Sequence, residues 1–208
     1  MYFKASAVLR WGRVRPVAIS MLLFTAAAPA RAASLVVEVR DRQASPVVSA
    51  VVYAVAEGAR APAPAARVAV MDQKNRTFVP HVLPIQVGTR VRFPNSDNVR
   101  HQVYSFSPAK RFQLPLYQGT PAVPVLFDTP GVVALGCNIH DRMSAFVVVV
   151  DTPHFALTDR GRVELANLPE GRYTVHLWYE GMKEEPRVEP LSLGPAETRE
   201  LTLSIGRE

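Results

Sequence analysis

The stretch from residue 131 to 150, GVVALGCNIHDRMSAFVVVV, decides the reading of this chain. Residues 132–137 and 145–150 are apolar and rich in valine, a composition that suits β-strands. A short polar turn lies between them, so the two runs read as strands joined by a loop. That loop holds the single cysteine, Cys137, with His140 three residues on and Met143 three further. A thiol, an imidazole and a thioether within seven residues make a compact set of metal donors.

Working outward, further short strands are expected at 35–40, 47–55, 68–71, 83–87, 90–94, 102–106, 123–128, 163–165, 173–179, 187–193 and 200–205. Gly88-Thr89, Asn95-Ser96-Asp97-Asn98 and Thr129-Pro130-Gly131 separate some of them. Several short strands at this spacing point to a sandwich or barrel. His101 stands at a strand end of its own, after the loop 95–100, and could meet Cys137 and His140 at one end of such a sandwich. Two imidazoles, one thiolate and a weak thioether are the donor set of an electron-transfer copper site. Thiolate and thioether favour Cu(I), whereas imidazole also suits Cu(II). Loops pinned by strands on both sides hold both oxidation states with little movement.

The same residues carry a resemblance. Phe78-Val79-Pro80, Ile85, Gly88, Val91, Phe93, Asn95 and His101 follow one another as in plastocyanin-type cupredoxins. Phe127-Asp128-Thr129-Pro130-Gly131 followed by Cys137 is similar to the closing block of that family. The spacing from His140 to Met143 resembles the short amicyanin loop. The resemblance covers residues 66–151 and implies a Greek-key β-sandwich with one mononuclear type 1 copper on His101, Cys137, His140 and Met143. It departs from the family at Gln102, where an Asn usually ties the two ligand loops, and at Ile139, where many members have Pro. Acidic docking patches of the plastocyanin kind are not evident.

The flanks, 33–65 and 152–208, resemble a different β-sandwich, the transthyretin-like or carboxypeptidase-regulatory-like module. Asp41 and Pro46 match its opening, and Thr158-Asp159-Arg160-Gly161 with Leu168-Pro169-Glu170-Gly171-Arg172-Tyr173 its later half. The expected fold class is therefore all-β: a cupredoxin sandwich inserted into a second, discontinuous sandwich. This combination resembles small exported proteins labelled methylamine utilization proteins. Residues 57–67, with Pro62 and Pro64, read as a linker.

Composition bounds the rest. The chain has 208 residues, 48% hydrophobic and 20% charged, too apolar to be disordered throughout. One cysteine excludes an internal disulfide framework and a zinc site of several thiolates. Lys4, Arg10, Arg13 and Arg15, the apolar run 17–28 and Ala30-Arg31-Ala32 read as a secretory signal peptide over residues 1–32. The apolar run is short of the ~20 residues a membrane span needs. Cleavage removes five basic residues and no acidic one, bringing the formal charge from +6 to +1. Nucleic acid is then not an expected partner, and no stable membrane insertion is expected after cleavage.

The leading expectation is a periplasmic electron carrier that meets redox partners transiently and is not an enzyme. The alternatives are a copper-binding or chaperone module without redox cycling, and a structural double sandwich. A zinc enzyme is weaker, because no carboxylate stands out as general base. His81 reads as a surface residue or one supporting the site, Asn95 and Asn138 as hydrogen-bonding groups within the ligand loops. His154, His176, Trp178 and Tyr179 read as structural. The sequence leaves the oligomeric state open.

Overall fold

A computed structural model describes residues 32–58, 61–64, 68–121, 123–140, 142–182 and 190–206. The expected signal peptide lies outside them except for Ala32. The fold is all-β, and no helix occurs among the described residues.

The chain opens with β1 (Ala33–Arg40) and β2 (Val51–Ala56). It continues through β3 (Val68–Val70), β4 (Asp72–Lys74), β5 (Thr77–Val79), β6 (Val82–Gln86), β7 (Thr89–Arg92), β8 (His101–Ser105), β9 (Phe112–Tyr117), β10 (Val125–Phe127), β11 (Gly131–Gly136) and β12 (Ser144–Val150). It closes with β13 (Phe155–Leu157), β14 (Arg162–Leu168), β15 (Gly171–Trp178), β16 (Leu191–Leu193) and β17 (Thr198–Ser204). The first two and last five strands form sheets of order β14-β1-β17 and β13-β2-β15-β16. The middle ten form β10-β7-β3, β6-β12-β11-β8-β9 and the β4-β5 hairpin.

Each group of strands encloses its own core. Leu35, Val37, Val39, Val52, Ala54, Leu165, Tyr173, Val175 and Leu177 fill the outer one. Met71, Phe78, Val91, Phe93, Val103, Phe127, Val133, Cys137, Met143, Val147 and Val149 fill the inner one. A third, smaller cluster joins them: Val51, Val82, Val148 and Val150, with Tyr53, Phe155 and Trp178 against it. The period-2 geometry of strands explains this arrangement. On β12, Ala145, Val147 and Val149 face the inner core while Val148 and Val150 face the joint. A strand covered on both faces is apolar throughout, which is why 145–150 reads as an unbroken hydrophobic run.

Phe146 packs with its ring tilted against Trp178, 5.2 Å between centroids, and edge-to-face with His81 at 5.7 Å. His81 lies within hydrogen-bond distance of the Ser144 carbonyl through Nδ1, at 3.1 Å, and of Glu180 through Nε2, at 2.8 Å, clasping the two halves beside the loop that carries Met143. It lies on the joint between the sandwiches.

Several elements differ from expectation. The second strand begins at Val51 rather than Val47, because Ser49 adopts φ 62° and Val47 donates back to Val39. The hairpin β4-β5 and the strand β9 were not anticipated. β9 contains Pro115, which is tolerated because β9 is the edge of its sheet. The expected strand 187–193 is described only as Leu191–Leu193, and residues 187–189 lie outside the described set.

Candidate metal centre

His101 is the first residue of β8, and its ring is wholly buried. Cys137 follows the last residue of β11 and is buried. Met143 immediately precedes β12 and is buried in the same core as Cys137. The Met143 amide donates to the His140 carbonyl at 2.9 Å, closing the turn between the two strands. Asp141 lies outside the described residues.

The fold brings His101, Cys137 and His140 together. One donor atom from each lies within 4.8 Å of the others, and the two imidazole rings are 5.0 Å apart between centroids. Donors bonded to one ion at about 2.0–2.3 Å stand roughly 3.5–4 Å apart, so a small closure of these side chains suffices. Met143, three residues beyond His140, is buried in the core that also holds Cys137.

Hydrogen bonding fits that use. Nδ1 of His101 and Nδ1 of His140 are both buried and have no partner. Nε2 of His101 donates to Asp97 Oδ2 at 2.7 Å. A carboxylate only accepts, so it places the proton on Nε2 and leaves a lone pair on Nδ1. Asp97 is itself held by the backbone N–H groups of Asn75 at 2.6 Å and Arg76 at 2.9 Å. Burial pushes the Asp97 carboxyl up, but the bonds from Arg76, His101 and Asn75 outweigh it and hold it below the usual range.

The loop before His101 is braced from within. Asn95 donates to the carbonyls of Val99 and Tyr117, both at 2.9 Å, and accepts from the Asp97 amide at 3.0 Å. The two donor-bearing loops are tied by Asn138 Nδ2, which donates to Gln102 Oε1 at 2.9 Å. Gln102 thus makes the cross-loop tie for which the resemblance leads one to expect an Asn. Gly136, before Cys137, leaves room for the Tyr104 ring, since a Cβ there would stand 2.6 Å from Tyr104 Cζ.

Three contributors escaped the sequence reading. Asp97 stands four residues before His101 in a stretch that reads only as a turn. Gln73 and Tyr117 lie on β4 and β9, the unanticipated strands. Tyr117 pairs with His101 across β8 and β9 and donates to the Phe93 carbonyl at 2.7 Å. Burial pushes its phenol up to about 12, with the nearby Cys137 adding to the shift and the bond from Gln73 opposing it. His154 and His176 lie in the outer half, apart from this centre. His154 packs edge-on against Tyr173, and His176 stacks on Tyr53.

No protein-family model matches the chain, and no curated protein matches it. Solved structures do resemble it. A Cu-containing nitrite reductase from Thermus scotoductus SA-01 aligns over 46% of this chain at 28% identity and TM-score 0.38, and the chain spans 25% of that protein's length. A purple cupredoxin from Nitrosopumilus maritimus aligns over 39% of this chain and 99% of its own at 24% identity and TM-score 0.35. An amicyanin variant in its reduced state aligns over 47% of this chain and 99% of its own at 22% identity and TM-score 0.37.

Proposed function

We propose that this protein is a single-electron carrier, exported to the periplasm, whose inner sandwich is a cupredoxin holding one mononuclear type 1 copper on His101, Cys137, His140 and Met143. The observation that carries this reading is the pair of buried imidazole Nδ1 atoms left without partners beside a buried thiol. Two imidazoles, a thiolate and a soft thioether suit copper in both oxidation states, and the bound ion would supply the seat for the electron. The chain's own part is to hold the donors still. Asp97 fixes the His101 tautomer, β11 and β12 grip both ends of the Cys137 loop, and the Asn138–Gln102 bond keeps the two loops in register. Rigid donors keep reorganisation small, which favours rapid electron transfer over substrate turnover.

Transient redox partners are part of this reading. Ile139, beside His140, is 48% exposed and offers an apolar contact for brief docking, which needs little area. The outer strands, read as a transthyretin-like module, would brace the joint formed by Val51, Val82, Val148 and Val150. A relation to the methylamine utilization proteins belongs to the same proposal.

Absorption and EPR spectroscopy of the copper-loaded protein test it. The expected result is an intense thiolate-to-copper band that Cys137→Ser abolishes, with reversible oxidation and reduction. Loaded protein without that band would overturn the type 1 assignment. A band without reversible cycling would overturn the carrier role.

A further inference from the structure

Among the described residues, three buried side-chain polar atoms have no partner: Nδ1 of His101, Nδ1 of His140 and Oε1 of Gln73. A bound ion accounts for the first two. The third belongs to a residue that the four-donor set leaves unused.

Gln73 is wholly buried on β4. Both protons of its amide nitrogen are committed, one to the Pro94 carbonyl at 3.1 Å and one to the Tyr117 hydroxyl. The Pro94 carbonyl only accepts, so the amide cannot be turned around to exchange its oxygen and nitrogen. Its carbonyl oxygen is therefore held in place, buried, with nothing to meet it. Leaving a buried acceptor unmet forfeits its hydration with nothing in return, which makes a missing partner the simplest account.

The neighbours of Gln73 show where that oxygen lies. Its backbone bridges to Asn95, and it exchanges hydrogen bonds with Pro94 and Ser96, in the segment that leads to His101. Its side chain is bonded to Tyr117, which faces His101 across the sheet. The amide is thus held between the segment that leads to His101 and the tyrosine paired with His101, one of the three clustered donors.

We propose that Gln73 Oε1 is a further donor to the ion held by His101, Cys137 and His140, a neutral oxygen ligand aimed by Pro94 and Tyr117. This rests on the metal reading above and deepens it. An amide oxygen is harder than a thioether, so it favours Cu(II) over Cu(I) and lowers the midpoint potential. It also makes the centre a better host for harder divalent ions such as Co(II). Tyr117 is the positioning residue, since its hydroxyl holds the amide nitrogen away from the ion.

Cobalt(II) loading of the full chain provides the test, alongside the midpoint potential of the copper form. Gln73→Ala is expected to strengthen the cobalt d–d absorption as coordination number falls, and to raise the copper midpoint. The thiolate-to-metal band should persist. Tyr117→Phe should move both readouts the same way by less, and Gln73→Glu should lower the midpoint below that of the native chain. Unchanged cobalt spectrum and midpoint in Gln73→Ala, with the band intact, would overturn this proposal and leave the copper site standing. Absence of the band in the native chain would overturn both. Should the variants fail to fold, NMR of native cobalt-loaded protein with labelled glutamine side chains decides. One strongly shifted glutamine side chain supports the proposal, and none overturns it.

Discussion

The outer and inner sandwiches treat their buried polar groups in opposite ways. In the outer one, Thr152 donates to the Ala54 carbonyl at 2.6 Å and accepts from the His154 amide at 3.1 Å. Thr158 donates to the Val47 carbonyl at 2.7 Å and accepts from the Ala50 amide at 3.0 Å. Both hydroxyls are satisfied as donor and acceptor, and they bind segments about a hundred residues apart in sequence. In the inner sandwich, Gln73, His101 and His140 each keep one buried atom unmet, while Asn95 next to them is fully engaged. Among the described residues the unmet atoms therefore fall in one sandwich, on Gln73, His101 and His140. Among the described residues the outer half meets its buried polar atoms from within, and under the proposed function the unmet atoms of the inner half are where an ion would sit.

Adding the ion should show this contrast most strongly. A ligand that binds only the folded state at about a thousand times its dissociation constant stabilises it by roughly 4 kcal/mol. Urea unfolding with and without anaerobic copper(I) at that excess should show a shift of this size, lost in His101→Ala. An equal shift in His101→Ala would mean that copper acts elsewhere on the chain. The complementary cut is Thr158→Val. It strands the Val47 carbonyl and the Ala50 amide in the outer core, and should cost about 2–3 kcal/mol in the metal-free protein. The copper-induced gain should stay the same. A weakened copper response would show that the outer half shapes the site as well as supporting it.

Asp97 tests how far the inner half is prepared before the ion arrives. Its carboxylate orients His101 and gathers the backbone of Asn75 and Arg76. Asp97→Asn keeps an acceptor but loses the charge, and should weaken copper affinity by about 10–100-fold. Competition against a calibrated chelator measures it. Unchanged affinity would place the orientation of His101 in the packing around it instead.

How much of this was legible in the sequence follows from what each residue does. Cys137, His140 and Met143 announce themselves because three metal donors sit in one short loop between valine-rich strands. The strands of the inner core were visible where apolar residues alternate, as on β7, or run unbroken, as on β12. β9 was hidden by Pro115 and by Lys110 and Arg111 before it, and only its edge position makes that proline acceptable. Tyr117 was hidden with it. Gln73 is a polar residue pointing into a core, so its own chemistry argues against the position it holds. Asp97 looked like turn chemistry because its partner in space, the backbone of 75–76, is some twenty residues away.

The smallest expected effect concerns His154, an outer histidine whose surroundings oppose its charge. His154 packs edge-on against Tyr173, and burial holds its imidazole below the usual 6.5. The unfolded chain then takes up a proton at a higher pH than the folded one. Between those two values the unfolded state binds more protons, so stability falls as pH drops from 6.5 toward the folded value and levels off below it. His154→Gln should remove this part of the acid sensitivity and leave stability above neutral pH nearly unchanged. Urea midpoints of the metal-free protein and the variant at pH 7.5 and 5.5 give the comparison. A larger midpoint loss in the native chain is the expected result. Equal losses would mean that the outer half accommodates a charged His154 at little cost, and that its burial is shallower than its packing on Tyr173 implies.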